Sequence, residues 1–322
     1  METAGIKRED IGLESSKAMV ESRLAADMLT VVPLRHPWRS AAVVIVLALV
    51  ALLLYSVATN PEFQWPAVGH YLFNPLILAG VGMTLLLTVI IMILSCIGGT
   101  VVALMLISSS RLLSIPAKLF VWFFRGTPAL VQLIFWYNLA LLFKHIALYI
   151  PGYGTIFSID TNDVITPFTA AVIALSLQES GYMAEIVRNG LKSVGHGQTE
   201  AALCLGMKPS LLMRRIVLPQ AMRVIIPPTG NETINLLKTT SLVSTIAVGD
   251  LLYSAQSIYA RTFETIPLLL VASFWYLAIV SITSIGQGYL ERHFSRDEMA
   301  TTGSALSTLQ AHLFSFRKRV AS

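Results

Sequence analysis

The chain alternates long apolar runs with short polar connections. The longest stretch free of Asp, Glu, Lys and Arg extends from Phe63 to Ser110, 48 residues in a row. Helices of soluble domains run about 8–20 residues, whereas a bilayer span needs about 20 mostly apolar ones. The run therefore holds at least one complete span. Hydropathy along the whole sequence predicts six: Ser40–Val57, Pro75–Ile107, Thr127–Tyr149, Thr166–Val187, Pro228–Tyr253 and Ile266–Leu290. Leu, Ile, Val and Ala dominate the first, second and sixth. The fourth and fifth carry Gln178, Glu179, Asn231, Glu232 and Lys238. Such groups are costly in lipid, which predicts that these two helices lie inside a bundle.

Composition agrees with that pattern. The chain is 55% hydrophobic and 13% charged, against roughly 25% charged in soluble domains. The predicted class is an all-α, polytopic membrane protein of about six transmembrane helices. Its net charge of +5 is sorted by membrane side, which leaves nothing to explain by nucleic-acid binding. Lys7, Arg8, Lys17, Arg23, Arg35 and Arg39 precede the first span, and Arg111, Lys118 and Arg125 lie between the second and third. Arg188, Lys192, Lys208, Arg214, Arg215 and Arg223 lie between the fourth and fifth; Arg292, Arg296, Arg317, Lys318 and Arg319 follow the last. The alternate loops hold Arg261, with Lys144 near a span end. By the positive-inside rule both termini are cytoplasmic. Residues 1–39 then form a cytoplasmic arm, with weak amphipathic spacing over Leu13–Leu29 and no secretory-signal pattern. Residues 40–57 form a first span, 75–290 the main membrane domain and 291–322 a cytoplasmic tail.

Several chemistries are excluded. Cys96 lies in an apolar run and Cys204 in a polar loop, which argues against a structural disulfide, and two cysteines make no zinc site. The phosphate-loop pattern G-x-x-x-x-G-K-[ST] is absent, as are H-E-x-x-H and G-x-S-x-G. No metal site or catalytic residue is predicted.

The cytoplasmic loop 188–223 is more ordered in pattern than a linker. Glu200-Ala201-Ala202-Leu203-Cys204-Leu205 is a helical run, and Gly206 supplies a left-handed stop. Pro209 suits the start of a second helix, Leu211 to Leu218, which Pro219 interrupts. The expected product is a compact two-helix knob. Ala201 and Ala202 are small enough to let a partner backbone approach, and Glu200 near the helix start is favoured by the helix dipole.

The spacing Glu200-Ala201-Ala202, three residues, Gly206, nine residues, Ile216, one residue, Leu218-Pro219 resembles the EAA loop of bacterial ABC importer permeases. Phe123-Phe124-Arg125-Gly126-Thr127-Pro128-Ala129-Leu130-Val131-Gln132 and Leu237-Lys238-Thr239-Thr240-Ser241-Leu242 are similar to the polar amino-acid (histidine, glutamine and arginine type) branch. Thr239 stands where that branch usually has Asp or Asn, and Gly181 where it has Ala. The resemblance covers about Leu78 to Leu290. It implies a five-helix type I core plus one extra N-terminal helix, in a prokaryotic inner membrane. It implies an ATPase dimer seated on the coupling residues Glu200, Ala201, Ala202, Gly206, Ile216, Leu218 and Pro219, a second permease chain and an extracytoplasmic substrate-binding protein. ATP and Mg would be bound by the ATPase, and this chain would hold no cofactor and catalyse nothing.

Intramembrane polar groups are candidates for the substrate path: Gln178, Glu179, Asn231, Glu232, Lys238, Thr239 and Ser241. Glu232 and Lys238 are six residues apart, about 240° around a helix, and cannot pair with each other. Asn231 and Lys238, seven apart, share a face. For each residue a packing network, with Glu179 or Glu185 satisfied by Lys238 or Arg188, competes with substrate contact. A second functional reading is a proton- or ion-coupled transporter with Glu179, Glu232 and Lys238 as its relay. Gly80, Gly82, Gly98 and Gly99 are read as close helix packing.

Overall fold

The computed structural model describes residues 37–150 and 154–294. The stretch Leu13–Leu29, the rest of the arm before Pro37 and the tail beyond Phe294 lie outside the described residues. The chain divides into two units. In the first, helix α1 (Pro37–Thr59) exposes the successive residues Val43, Val44, Ile45 and Val46, which together span its whole circumference. A helix apolar on every side is a membrane span rather than a surface helix.

The second unit, Asn60–Phe294, holds the bundle. After a 3₁₀ turn and the short helix α2 (Trp65–Tyr71) comes α3 (Pro75–Ile107), started by the Asn74 side chain accepting from Leu76 N–H at 2.9 Å. Helix α4 (Arg111–Gly126) follows where a cytoplasmic loop is predicted. Leu112, Ile115, Leu119 and Trp122 fall on one exposed face of α4, while Ala117 and Val121 are buried on another. That split is the signature of a helix lying along a membrane surface.

The axis then turns by 102° into α5 (Ala129–Tyr137). Pro128 forces Thr127 out of the helical region, to φ −104° and ψ 141°. The broken ends are tied by one side chain. Gln132 Nε2 lies 3.0 Å from the Phe124 carbonyl, 3.1 Å from that of Thr127 and 2.6 Å from Thr127 Oγ1. The third predicted span, Thr127–Tyr149, therefore ends early. After α5 and the single turn α6 (Leu139–Leu142), strand β1 (His145–Ile150) pairs antiparallel with β2 (Gly154–Asp160), with a bulge between Leu148 and Tyr149. Mean hydropathy does not separate a short apolar strand from a helix end, and the helical class gains this two-stranded hairpin.

A short helix α7 (Thr161–Val164) leads into α8 (Pro167–Lys192), capped by Thr166. Helix α8 is interior, as its polar content predicts: Ala170, Ala171, Ala174, Glu179, Met183 and Ala184 are all buried. It packs along α3. A Cβ on Gly98 would come within 2.6 Å of Ser180 Oγ, and one on Gly99 would overlap Met183. Ser95 Oγ donates to the Ser176 carbonyl at 3.2 Å. Gly80 serves the same purpose elsewhere, with a Cβ 2.8 Å from the Asp250 carbonyl. Gly82 has nothing within 4 Å, so the packing reading fails there.

The predicted fifth span, Pro228–Tyr253, is replaced by α11 (Leu218–Thr239), a 3₁₀ stretch (Thr240–Ile246), a left-handed Ala247 at φ 60°, and α12 (Leu251–Thr262). Two short helices, α9 (His196–Cys204) and α10 (Pro209–Leu212), precede α11. Pro227 and Pro228 sit inside α11 rather than starting it. Gln287 of the last helix, α13 (Thr265–Phe294), donates to the Pro227 carbonyl at 2.9 Å. Among the described residues three helical segments pass as spans by length and apolarity: Ala41–Thr59, Pro75–Ile107 and Thr265–Phe294, with α4–α5 a fourth if counted as one. Helices α8 and α11, of 26 and 22 residues, are about 39 and 33 Å long but too polar to pass alone.

Asp250 caps α12. It is wholly buried, accepts from Leu252 N–H at 3.2 Å and Tyr253 N–H at 2.9 Å, and receives the Tyr276 hydroxyl at 3.2 Å. Asp250→Ala removes a helix cap and strands a buried hydroxyl. We expect a loss of about 2–4 kcal/mol, read as a lowered unfolding midpoint in detergent, with Tyr276→Phe losing less than half as much.

Candidate coupling site and transport path

The knob is built from α9 (His196–Cys204) and α10 (Pro209–Leu212). Between them Gly206 adopts φ +76°. Its N–H donates to the Leu203 carbonyl at 2.9 Å, and the Met207 N–H to that of Ala202 at 3.1 Å. This crossed pair is a Schellman stop, which satisfies the free carbonyls of the helix end and needs a residue without a Cβ at its left-handed position. Ala202 is 3% exposed and packs with Leu212 and Val217; Met207, Ile216, Leu191 and Val194 surround them.

Pro219 does not stop the second helix. A π segment (Met213–Val217) follows α10, with Leu218 N–H reaching back five residues to the Met213 carbonyl. The wider turn delivers Pro219 to the start of α11, where its missing N–H is not required. Glu200 is also displaced from its expected place. Helix α9 begins at His196, so Glu200 is its fifth residue, beyond the first turn where the dipole acts.

The knob is fixed to two helices. Leu191 and Val194 extend α8 into its small core, and a Cβ on Gly190 would overlap Ile225 of α11 and lie 3.1 Å from the Ala221 carbonyl. Gln220 Nε2 donates to Gln198 Oε1 at 3.2 Å and to the Ile216 carbonyl at 3.0 Å. The outward side is left open. Glu200, Ala201, Leu203 and Cys204 are exposed, and so are Leu218, Pro219, Arg214 and Arg215. Leu205 is 83% exposed. A shallow groove of about 380 Å³ runs between Gln198, Ala201, Leu205 and Ile216. A larger one, about 730 Å³, separates the end of α3 at Leu104 and Ile107 from Val194, Leu212 and Val217.

The polar membrane residues do not assemble into one cluster. Asn231 and Lys238 share an exposed face of α11, joined by Asn235. Glu232 is half-buried at that face's edge, and Glu179 of α8 is 8% exposed. Gln178 is half-buried. Of the expected networks, Glu185 pairs with Arg188 at 2.5 Å, whereas Glu179 forms no ion pair and its Oε1 has no hydrogen-bond partner. Lys238 neutralises neither Glu179 nor Glu232, so the proton-relay reading lacks its connected chain. The hydroxyls turn back on their own backbone: Thr239 Oγ1 donates to the Asn235 carbonyl at 3.0 Å and Ser241 Oγ to that of Lys238 at 2.7 Å. They hold the 3₁₀ stretch together, as does buried Thr240, bonded to the Leu237 carbonyl at 2.7 Å.

Sequence reasoning passed over Ser176, whose Oγ is buried and unpartnered one turn before Glu179. The three-residue spacing of two polar groups in an apolar helix was the available signal. Gly181 also gains a reason: a Cβ there would come 3.1 Å from Arg125 Cγ, where the Arg125 guanidinium lies over the Tyr182 ring, 5.1 Å from its centroid.

The sequence profile of the family described as "Binding-protein-dependent transport system inner membrane component" matches residues 96–296. The arginine transport system permease protein ArgU of Corynebacterium glutamicum is 45% identical over 271 residues, covering 84% of each chain. The probable amino-acid ABC transporter permease protein YckA of Bacillus subtilis is 35% identical, over 73% of this chain and 97% of its own. Among solved structures, an amino acid ABC transporter crystallised with histidines superposes with a TM-score of 0.58 at 35% identity, over 69% of this chain and 95% of that one. The chain belongs to the binding-protein-dependent transport system inner membrane component family, the non-catalytic permease subunits of ABC importers, whose ATPase is a separate subunit.

Proposed function

We propose that this permease imports an amino acid of the arginine type and is driven through the Gly206 knob. The observation that carries the reading is the knob's construction: a Schellman-closed helix pair with an open apolar outer face, joined rigidly to α8 and α11. ABC permeases for amino acids supply the function, and the similarity to ArgU points to the cationic class.

In this reading an ATPase dimer seats on Glu200, Ala201, Leu205 and Leu218, holding the ATP and Mg itself. A second permease chain covers the exposed polar face of α11, because Asn231, Asn235 and Lys238 are unsuited to lipid. An outer binding protein delivers substrate. Both termini, the surface helix α4 and the knob lie on the cytoplasmic side, consistent with Arg111, Lys118, Arg125, Arg214 and Arg215. Closure of the ATPase pair pulls the two knobs together, and α8 and α11 rock as rigid bodies between inward- and outward-open forms.

Liposomes containing the chain, its ATPase and its binding protein test the proposal. We expect arginine uptake that requires ATP on the knob side and persists when the proton gradient is dissipated. Uptake without any ATPase contradicts it. In the same vesicles Gly206→Val strains the left-handed stop by about 1–2 kcal/mol. We expect continued ATP hydrolysis with uptake reduced several-fold; unchanged uptake contradicts a mechanical role for the hinge.

A further inference from the structure

Two buried polar atoms on one face of α8 have no partner: Glu179 Oε1 and Ser176 Oγ, each in a side chain 8% exposed. Three residues apart, they are neighbours on the helix surface. Of the other buried atoms without partners, those of Gln132 and Gln287 belong to amides that donate through Nε2, and Glu264 Oε2 belongs to a half-buried carboxylate just before α13. Ser176 instead offers its backbone carbonyl to Ser95 and Ser180, leaving its hydroxyl free. Buried polar groups in native proteins are almost always satisfied, so an adjacent unsatisfied carboxylate and hydroxyl ask for a ligand.

The surroundings specify its charge. Helix α11, which carries Glu232, packs against α8, which carries Glu179. The nearby cations are engaged elsewhere or point away: Arg188 holds Glu185, Arg125 lies over Tyr182, and Lys238 is on the exposed face. At 100° per residue, Asn231, Asn235 and Lys238 fall within one sector of α11, and Glu232 lies between that sector and the buried one. The open face of α11 thus carries an ammonium, and a carboxylate stands at its edge toward the packed side.

We infer that Glu179 and Ser176 seat the cationic side chain of the substrate, a guanidinium or ammonium group. Glu232 adds to the attraction at the entrance, and Lys238 with the two asparagines faces the substrate's α-carboxylate. This rests on the amino-acid permease reading and narrows it to a class. A neutral side chain leaves the buried carboxylate uncompensated, and an acidic one is repelled.

Citrulline, the uncharged isostere of arginine, separates charge recognition from shape. The permease–ATPase complex, purified in detergent without the outer binding protein, is assayed for equilibrium binding of radiolabelled arginine and citrulline. We expect the wild type to favour arginine by about tenfold or more. Glu179→Gln, close in shape, brings the ratio near one, and Glu179→Asp restores part of the preference. A merely structural Glu179 lowers both affinities alike and leaves the ratio unchanged; that outcome, or a wild type with no preference, overturns the inference. Vesicle uptake distinguishes the two levels: a wild-type complex that imports no amino acid overturns the underlying reading, whereas arginine import with an unaltered ratio overturns only the seat.

Discussion

Along the seam between α3 and α8, two positions of α3 have no room even for a Cβ. Gly98 faces Ser180, Gly99 faces Met183, and Ser95 reaches across to the Ser176 carbonyl. Helices in lipid gain little from apolar contact as such, because the solvent is equally apolar; they hold together by close approach and by hydrogen bonds between them. Both are present here. Helix α8 is thereby fixed as the central post of the second unit, with α4, α5 and α11 also packed on it. Its position determines where Glu179 lies and where the knob begins.

The second requirement is that every interruption of a helix be closed by the chain itself, since the bilayer core offers no water. Gln132 closes the turn at Thr127–Pro128, Asp250 caps α12, and the threonine and serine hydroxyls stitch the 3₁₀ stretch. Gln287 meets the carbonyl beside the double proline. Two of the residues read in the sequence as a substrate path, Thr239 and Ser241, are occupied with backbone. Glu179 and Ser176 stand out because they are not.

Much of this was legible beforehand. The EAA spacing located the knob, and Gly206 takes the left-handed conformation expected of it. The first, second and sixth spans were plain because Leu, Ile, Val and Ala dominate them and none carries a charged side chain. What hydropathy could not show was directional. It read α5 and the hairpin as one helix because β1 is also apolar, and it treated Pro219 and Pro228 as boundaries, although a π turn and a partner glutamine let the helix pass. Nor could it tell Gly82 from Gly80, since only the neighbour across the gap distinguishes a packing glycine from an idle one. The free valence of Glu179 depends on where Arg188 and Lys238 point, and no spacing rule contains that.

In the proposed function, force applied at the knob reaches Glu179 along α8, whose end at Leu191 packs into the knob. In the proposed function the ATPase sits on the open face of α9, where exposed Cys204 reports it. In a Cys96→Ala background, the rate of Cys204 modification by a membrane-impermeant thiol reagent should fall several-fold when the ATPase assembles with the permease. An equal rate with and without the ATPase would contradict the coupling described here.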